Sequence, residues 1–201
     1  YPRRMLARRM ATVPQETYLA FDYSVLDIVL MGRYPHLSTF AIESPTDLRY
    51  AADALAATGT LNLAARSFTT LSGGEKQRVV IASALAQLYT VDETEPGSHV
   101  LLLDEPTASL DLAYQLEIAS LIRKLNAMGI AILISTHDLT LAAGICRDLV
   151  LLREGRVLAT GPTQDVLTES MVRSLYGVDA VVTRHPATDH LLVIPVDSAN
   201  E

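Results

Sequence analysis

The sequence is poor in the residues that define several common classes of protein. It contains one cysteine, no tryptophan and 5% aromatic residues, and it has no long apolar run. The single cysteine, Cys146, rules out a disulfide within the chain, and its apolar helical surroundings favour a buried, inert thiol. No stretch approaches the ~20 consecutive apolar residues of a membrane-spanning helix. The longest candidates, residues 100–103 and 130–134, have the length of buried strands.

Positive charge is also scarce, since 16 lysines and arginines stand against 23 acidic residues and the formal net charge is −7. This balance gives no electrostatic basis for nucleic-acid binding, so we predict no nucleic-acid partner. The one basic cluster is at the start of the chain, and we interpret it as a solvated edge beside the first strand. It consists of Arg3, Arg4, Arg8 and Arg9.

The first half of the chain has mainly helical patterns. Residues 10–13 are apolar and run into Pro14, which predicts a short strand that ends in a loop. From Ser24 to about Leu88, three predicted helices begin with a capping box, in which a serine and an acid three residues later satisfy free backbone amides. The pairs are Ser24 with Asp27, Ser44 with Asp47, and Ser72 with Glu75. Three consecutive helices with few strand signals predict a helical subdomain.

The second half alternates apolar strands with helices, after a polar, turn-rich stretch at residues 91–98 that we interpret as a loop. Continuous apolar strands separated by helices predict an α/β fold with a parallel sheet covered on both faces. Glu154-Gly155 predicts a hairpin turn. The predicted strands are residues 100–103, 130–135, 149–152 and 156–160, with a final pair at 178–183 and 191–196, and the predicted helices are 112–128, 138–146, 163–167 and 170–176.

Two adjacent carboxylates, Asp104 and Glu105, end the apolar strand Val100-Leu101-Leu102-Leu103. The carboxyl ends of parallel strands are where α/β sheets bind ligands. Neighbouring residues on an extended chain point to opposite sides, so one acid could hold hydrated Mg²⁺ while the other orients and deprotonates a water. A strand running into an acidic turn is common, however, and this segment alone leaves the structural interpretation open.

Three further features could act beside the acid pair. Ser72, Gly73 and Gly74 leave backbone amides uncovered at a helix start, where the helix dipole favours an anion such as a terminal phosphate. His137 follows the next apolar strand and could donate to a phosphate oxygen. Gln15 follows the first strand and could touch Mg²⁺ or the attacking water. Each feature also has a structural interpretation, as an ordinary helix cap, a structural histidine or a loop glutamine.

Together these elements resemble the ATP-binding-cassette (ABC) ATPase family. Leu71–Val79 resembles the family signature, Val100-Leu101-Leu102-Leu103-Asp104-Glu105 the Walker B strand, and Ser109-Leu110-Asp111 the D-loop, while Gln15 and His137 match the Q-loop and H-loop. The motifs occur in the family's order between about Met10 and Gly161.

The resemblance implies roles for these residues. Glu105 would be the general base and His137 would contact the γ-phosphate, with Asp104 and Gln15 supporting Mg²⁺. Ser72, Gly73 and Gly74 would hold the γ-phosphate of ATP bound mainly by a second copy in a head-to-tail dimer, and Asp111 would communicate across that dimer. The cofactors implied are ATP and Mg²⁺.

The family's phosphate-binding loop, G-x-x-x-x-G-K-[ST], matches no glycine of the sequence. In the family this loop precedes the Q-loop, and here only 14 residues precede Gln15. We therefore expect an N-terminally truncated copy, without the first strands and the Walker A unit. We predict that the 201-residue chain alone neither hydrolyses ATP nor folds stably, because neighbouring strands lose a ladder partner. The resemblance assigns residues 9–15 and 99–161 to the catalytic core, about 16–90 to the helical subdomain, and 162–201 to a C-terminal extension.

Within the family, residues 27–36 (DIVLMGRYPH) resemble the importers for iron-siderophores, haem and vitamin B12, and residues 16–36 would form the surface that couples to the membrane subunits. The loop at residues 89–99 and the stretch Leu112-Ala113-Tyr114-Gln115 are similar to haem importer ATPases. The resemblance implies two membrane permease subunits and a substrate-binding protein as partners, and a peripheral location on the cytoplasmic face of the bacterial plasma membrane. A non-transport cassette protein and a regulatory or structural fragment are the competing hypotheses.

Overall fold

The computed structural model describes residues 1–15, 21–90, 99–108 and 110–196. The predicted loop at residues 91–98, Ser109 of the D-loop and residues 16–20 of the expected coupling surface lie outside the described residues. The chain divides into two compact units, Tyr1–Ser135 and Thr136–Glu201, and each is described by itself.

A parallel sheet of three strands forms the centre of the first unit. Strands β1 (Met10–Val13), β2 (Val100–Asp104) and β3 (Ala131–Ser135) lie in the order β1-β2-β3. The register pairs Val13 with Leu103 and Asp104 with Ser135, so the three strands end at one edge of the sheet. The α/β class and the three strands are therefore confirmed.

Helices of the first unit pack on this sheet and on one another. The predicted helices with capping boxes are all present, and each box has both of its reciprocal hydrogen bonds. The fourth helix packs against the second, the third and β1, and eight of its 16 residues are buried. The helices are α1 (Arg3–Arg9), α2 (Val25–Met31), α3 (Pro45–Ala57), α4 (Gly73–Leu88) and α5 (Leu112–Ala127), with short 3-10 turns at Tyr34–His36, Leu61–Leu63 and Phe68–Thr70.

A glycine allows α2 to approach α4 closely. A Cβ atom at Gly32 would lie 2.2 Å from the carbonyl oxygen of Ser83, so no larger residue fits there. The Ser83 hydroxyl donates to the Ile28 carbonyl oxygen at 2.9 Å, which fixes the same contact.

The basic cluster at the start of the chain is solvated and lies directly before β1, as expected, but it forms helix α1, which the sequence analysis did not predict. None of its residues is buried, yet two of its arginines have specific partners. The Nε atoms of Arg4 and Arg8 donate to the carbonyl oxygen of Pro35 at 2.8 and 3.0 Å, and Arg4 also donates to the Leu37 carbonyl. Sequence patterns could not reveal these bonds, because their acceptors are main-chain atoms about thirty residues away.

The expectation that both faces of the sheet are covered is wrong for β3. Leu101 and Leu103 on β2 are buried, but Leu133 on β3 is 62% exposed. Among the described residues, β3 pairs only with β2, so its other edge has no strand partner.

The described residues of the second unit form two antiparallel hairpins and three helices. Its core residues come from the three helices and from one strand of each hairpin, and include Ala142, Leu151, Leu167 and Val172. Its elements are α6 (Leu139–Ile145), β4 (Asp148–Arg153), β5 (Arg156–Pro162), α7 (Thr163–Val166), α8 (Glu169–Tyr176), β6 (Ala180–Arg184) and β7 (Leu191–Pro195).

Strand β4 corrects one detail of the sequence prediction. It was expected to continue the parallel sheet, whereas among the described residues it pairs only with β5, in antiparallel orientation. Glu154 and Gly155 between them both have left-handed φ angles, 53° and 75°, as a two-residue turn that matches strand twist requires. The predicted hairpin and the final strand pair are confirmed. Cys146 is half-buried, and burial raises the pKa of its thiol, in keeping with an inert cysteine.

Candidate functional site

The carboxyl ends of the three parallel strands bring several of the predicted residues to one edge of the sheet. Gln15 follows β1 by two residues and is exposed, Asp104 is the last residue of β2, and Ser135 is the last residue of β3. Since Asp104 is level with Ser135, a carboxylate and a hydroxyl group lie side by side at this edge, and Val13, two residues before Gln15, is level with Leu103.

Ser135 contacts both residues of the acid pair. Its hydroxyl group donates to Oδ1 of Asp104, and its carbonyl oxygen accepts a hydrogen bond of 3.0 Å from the amide of Glu105. The sequence prediction did not single out Ser135. A polar residue at the end of an apolar strand was the feature that could have identified it. However, only the register between β2 and β3 shows that Ser135 lies beside Asp104.

The backbone of Glu105 is in the left-handed region, with φ of 45°. This conformation is uncommon for a residue with a side chain and costs on the order of 1–3 kcal/mol. The following turn holds it, because the Ala108 amide donates to the Glu105 carbonyl oxygen at 3.0 Å and Thr107 is buried. The strand therefore ends at Asp104, so the two acids do not simply point to opposite sides of one strand as expected. A strained turn sets the position of Glu105 instead.

The predicted anion site at Ser72 is the N-terminal end of α4. The Ser72 hydroxyl accepts from the Glu75 amide at 3.3 Å, and the Glu75 carboxylate accepts from the Ser72 amide at 2.8 Å. This backbone hydrogen bond from Ser72 lowers the pKa of Glu75. Ser72 and Gly73 are exposed, whereas Gly74 is buried.

The signature residues pack directly on the start of α5, and the sequence prediction did not include this contact. A Cβ atom at Gly74 would lie 2.3 Å from the Tyr114 ring, and one at Gly73 would lie 3.5 Å from Leu110. Asp111 is the N-cap of α5, since its side chain accepts from the Tyr114 amide at 3.1 Å. The signature and the described part of the D-loop therefore form one surface.

A second contact joins the same two helices. Arg78 on α4 forms an ion pair with Glu117 on α5, and its guanidinium carbon lies 5.9 Å from the centre of the Tyr114 ring. The pair is partly exposed, so its stabilising contribution is small.

His137 follows β3 by two residues and belongs to the second unit. Its carbonyl oxygen accepts from the Tyr176 hydroxyl at 3.2 Å. The adjacent Asp138 caps α6 by accepting from the Leu141 amide at 2.8 Å. The role of the His137 side chain at a γ-phosphate stays a prediction.

The residues at the sheet edge fit a magnesium ion held mainly by a nucleotide. The described residues contain no group of three or more histidine, cysteine, aspartate or glutamate side chains that could hold a metal ion. Asp104 offers one carboxylate and Gln15 one amide oxygen. Mg²⁺ commonly binds through one or two carboxylates, with water and phosphate oxygens completing its shell.

Comparison with known proteins agrees with this geometry. A family model described as "ABC transporter" matches residues 1–108, which is more than half of the chain. The hemin import ATP-binding protein HmuV of Gloeobacter violaceus is 42% identical over 200 residues, which cover 100% of this chain and 71% of the relative. The cobalamin import ATP-binding protein BtuD of Halobacterium salinarum is 41% identical over 191 residues, which cover 94% of this chain and 45% of the relative.

Among solved structures, a metal-chelate type ABC transporter in an inward-facing conformation matches with a TM-score of 0.84 and 32% identity, over 94% of this chain and 73% of that chain. The chain therefore belongs to the ABC transporter family, as an ATP-binding ATPase subunit of the importer class. In the described part of the chain, no helix has the length and hydropathy needed to span a bilayer.

Proposed function

We propose that this chain couples ATP binding and hydrolysis to the uptake of haem (hemin) or a related iron chelate. The observation that carries the proposal is the combination of the acid pair at the end of β2 with a signature helix packed on the D-loop. The hemin importer relative covers the whole chain at 42% identity, and the structural relative is a metal-chelate transporter, which supports an iron chelate as cargo. Cobalamin is the second candidate, because a cobalamin import protein is 41% identical.

In this proposal Glu105 is the general base, and its strained turn holds it at the edge where the nucleotide phosphates arrive. Asp104 and Gln15 would support Mg²⁺ indirectly, and the ion would neutralise charge on the phosphates when bound. Ser135 fixes the Asp104 carboxylate through its hydroxyl group. Ser72, Gly73 and Gly74 present the N-terminal end of α4 to the γ-phosphate of ATP held by a second copy, and Asp111 lies beside them. His137 donates to a γ-phosphate oxygen.

The proposed assembly contains two copies of this subunit, head to tail, and two membrane permease subunits, with a substrate-binding protein on the other side of the membrane. The subunit lies on the cytoplasmic face of the plasma membrane. Because the 201 residues contain no G-x-x-x-x-G-K-[ST], we expect this chain, purified alone, to show no ATP turnover.

The test is ATP-driven uptake by the importer, assembled with its permease subunits in lipid vesicles from a longer subunit in which a phosphate-binding loop G-x-x-x-x-G-K-[ST] precedes these 201 residues. Hemin and cobalamin are offered separately. Glu105→Gln should lower ATP turnover by roughly 100-fold or more, because loss of a general base typically costs 10²–10⁴-fold. Glu154→Gln is the matched control, since Glu154 is also an acid with a left-handed φ of 53° but lies in the β4–β5 hairpin.

Uptake of cobalamin without hemin would overturn the proposed cargo. Full ATP turnover by the Glu105→Gln importer would overturn the assignment of the base. ATP turnover without uptake of either compound would favour a different transported compound or a non-transport function.

A further inference from the structure

The side chain of Arg33 joins three helices inside the first unit. It is 3% exposed and lies just after α2. Its Nε donates to Oδ1 of Asp47 at 3.0 Å, at the start of α3. Its Nη1 donates to the carbonyl oxygens of Ala86 at 2.5 Å and Tyr89 at 2.6 Å, at the end of α4. One guanidinium group therefore fixes the end of α2, the start of α3 and the end of α4 relative to one another.

His36 makes a parallel contact three residues later. Its Nε2 lies 2.8 Å from the Gln87 carbonyl oxygen, and because a carbonyl can only accept, the ring must donate. The last carbonyl groups of a helix lack partners within the helix, and the helix dipole makes that end negative. Arg33 and His36 thus satisfy the C-terminal end of α4 with a permanent cation and a ring N–H.

The same short segment, residues 34–37, is also held from the other side. Arg4 and Arg8 on α1 donate to the Pro35 carbonyl oxygen. Gln87 on α4 donates through Nε2 to the carbonyl oxygens of Ala7 at 2.6 Å and Met10 at 3.0 Å, where α1 runs into β1. Residues 34–37, the end of α4 and the start of β1 therefore form one continuous hydrogen-bonded cluster.

The opposite end of α4 carries Ser72, Gly73 and Gly74. With 16 residues, α4 is about 24 Å long and behaves as a rigid rod. A force on residues 34–37 can then reach the signature residues through a single helix. Apolar residues of similar volume often replace a buried ion pair without loss of stability, so a buried arginine here is better explained by the geometry that it imposes than by stability.

We propose that Arg33 and His36 are positioning residues that lock residues 34–37 to the signature helix, so that this segment and Ser72-Gly73-Gly74 move as one body. This inference rests on the proposed function, together with the expectation from the sequence that residues 16–36 form the surface that couples to the membrane subunits. Arg33 itself is buried, so it acts through α4 and does not contact the permease.

The experiment measures the distance between spin labels at positions 34 and 76 in the assembled importer, by double electron–electron resonance. Tyr34→Cys and Lys76→Cys are introduced in a Cys146→Ala background, because Cys146 is the one cysteine of the chain. Tyr34 is 58% exposed, so it accepts a label without repacking the core. Only one of the two ATPase copies in each importer carries the label pair, so that distances between copies do not contribute. We expect one narrow distance that is the same in nucleotide-free and ATP-bound importer.

Arg33→Met should replace this single distance with a broad or shifted distribution, whereas the control Arg49→Met should leave it unchanged, since Arg49 is exposed on α3 and makes none of these bonds. His36→Leu tests the second contact independently of whether Arg33→Met folds. His36→Gln should restore the narrow distance, because an amide can again donate to the Gln87 carbonyl.

A narrow, unchanged distance in folded Arg33→Met and His36→Leu importers would overturn the proposal, as would a distance in the unmodified sequence that changes between the two nucleotide states. None of these measurements depends on cargo. A failure of hemin uptake would contradict the proposed function, while these distances would still decide whether the two ends of α4 move together.

Discussion

Replacing Gly74 with alanine tests whether the signature and the D-loop act as one packed surface. The added Cβ would lie 2.3, 2.5 and 2.9 Å from three ring carbons of Tyr114, distances that real Cβ contacts do not show. The ring or the start of α5 must therefore move by about 1 Å or more, and overpacking of this kind typically costs 1–3 kcal/mol. A gain of up to about 1 kcal/mol in helix propensity offsets part of this cost.

The assay is hydrogen exchange, followed by mass spectrometry, of the amides in the first turns of α4 and α5 in the assembled importer. Measured against Gly73→Ala, which has the same gain in helix propensity, a loss of 1–3 kcal/mol in local opening free energy corresponds to roughly 5- to 140-fold faster exchange. Gly73→Ala is the matched control, because its Cβ would lie 3.5 Å from Leu110, an ordinary contact, and would gain the same helix propensity.

Tyr114→Ala provides the second control. If the ring is the obstacle, Gly74→Ala should cost little in the Tyr114→Ala background, so that the two substitutions are not additive. Equal exchange rates for Gly73→Ala and Gly74→Ala, or full additivity with Tyr114→Ala, would refute the reasoning.

Two further predictions concern helix α4. Ser72→Ala removes the side-chain cap on the Glu75 amide and should destabilise the first turn of α4 by about 0.5–2 kcal/mol. The measurement is amide exchange in that turn, which should be faster in Ser72→Ala, whereas Ser72→Thr should retain the cap. Equal exchange in both variants would contradict this prediction. In the folded subunit, burial lowers the pKa of His36 below its ordinary value of 6.5. Arg33 and Arg8 lower this pKa further, whereas the hydrogen bond to the Gln87 carbonyl and the charge of Asp47 raise it. The unfolded chain then binds more protons just below pH 6.5, so the His36 contribution to stability is complete above that pH and is lost as pH falls toward the lowered folded pKa. Thermal unfolding midpoints measured from about pH 7.5 to about pH 5.5 should fall less in His36→Gln, and identical profiles would show that His36 is not responsible.

Local sequence patterns predicted most of the helices and strands, because the signals for them are complete within a few neighbouring residues. A capping box is complete within four residues, so Ser24, Ser44 and Ser72 each marked a helix start that the structure confirms. An apolar run of strand length needs no distant partner to be recognised, and β2 and β3 begin and end within a residue of their predicted limits. Helix α1 was missed because the charge pattern of its four arginines gave no apolar face, and its hydrogen-bond acceptors lie about thirty residues away.

The sequence by itself determined the family and predicted the chemistry of the site, because Asp104, Glu105, Ser72 and the glycines after it occur in motifs whose members lie close together along the chain. The tertiary structure alone decided how those motifs are held. The register of β2 and β3 brings Ser135 to both acids, the packing of α4 on α5 places Gly74 under Tyr114, and Arg33 reaches main-chain oxygens more than fifty residues away. Such contacts are hard to predict from a single sequence. Every residue supplies a main-chain carbonyl acceptor, whatever its type, and a close approach between helices requires only that one side chain be small.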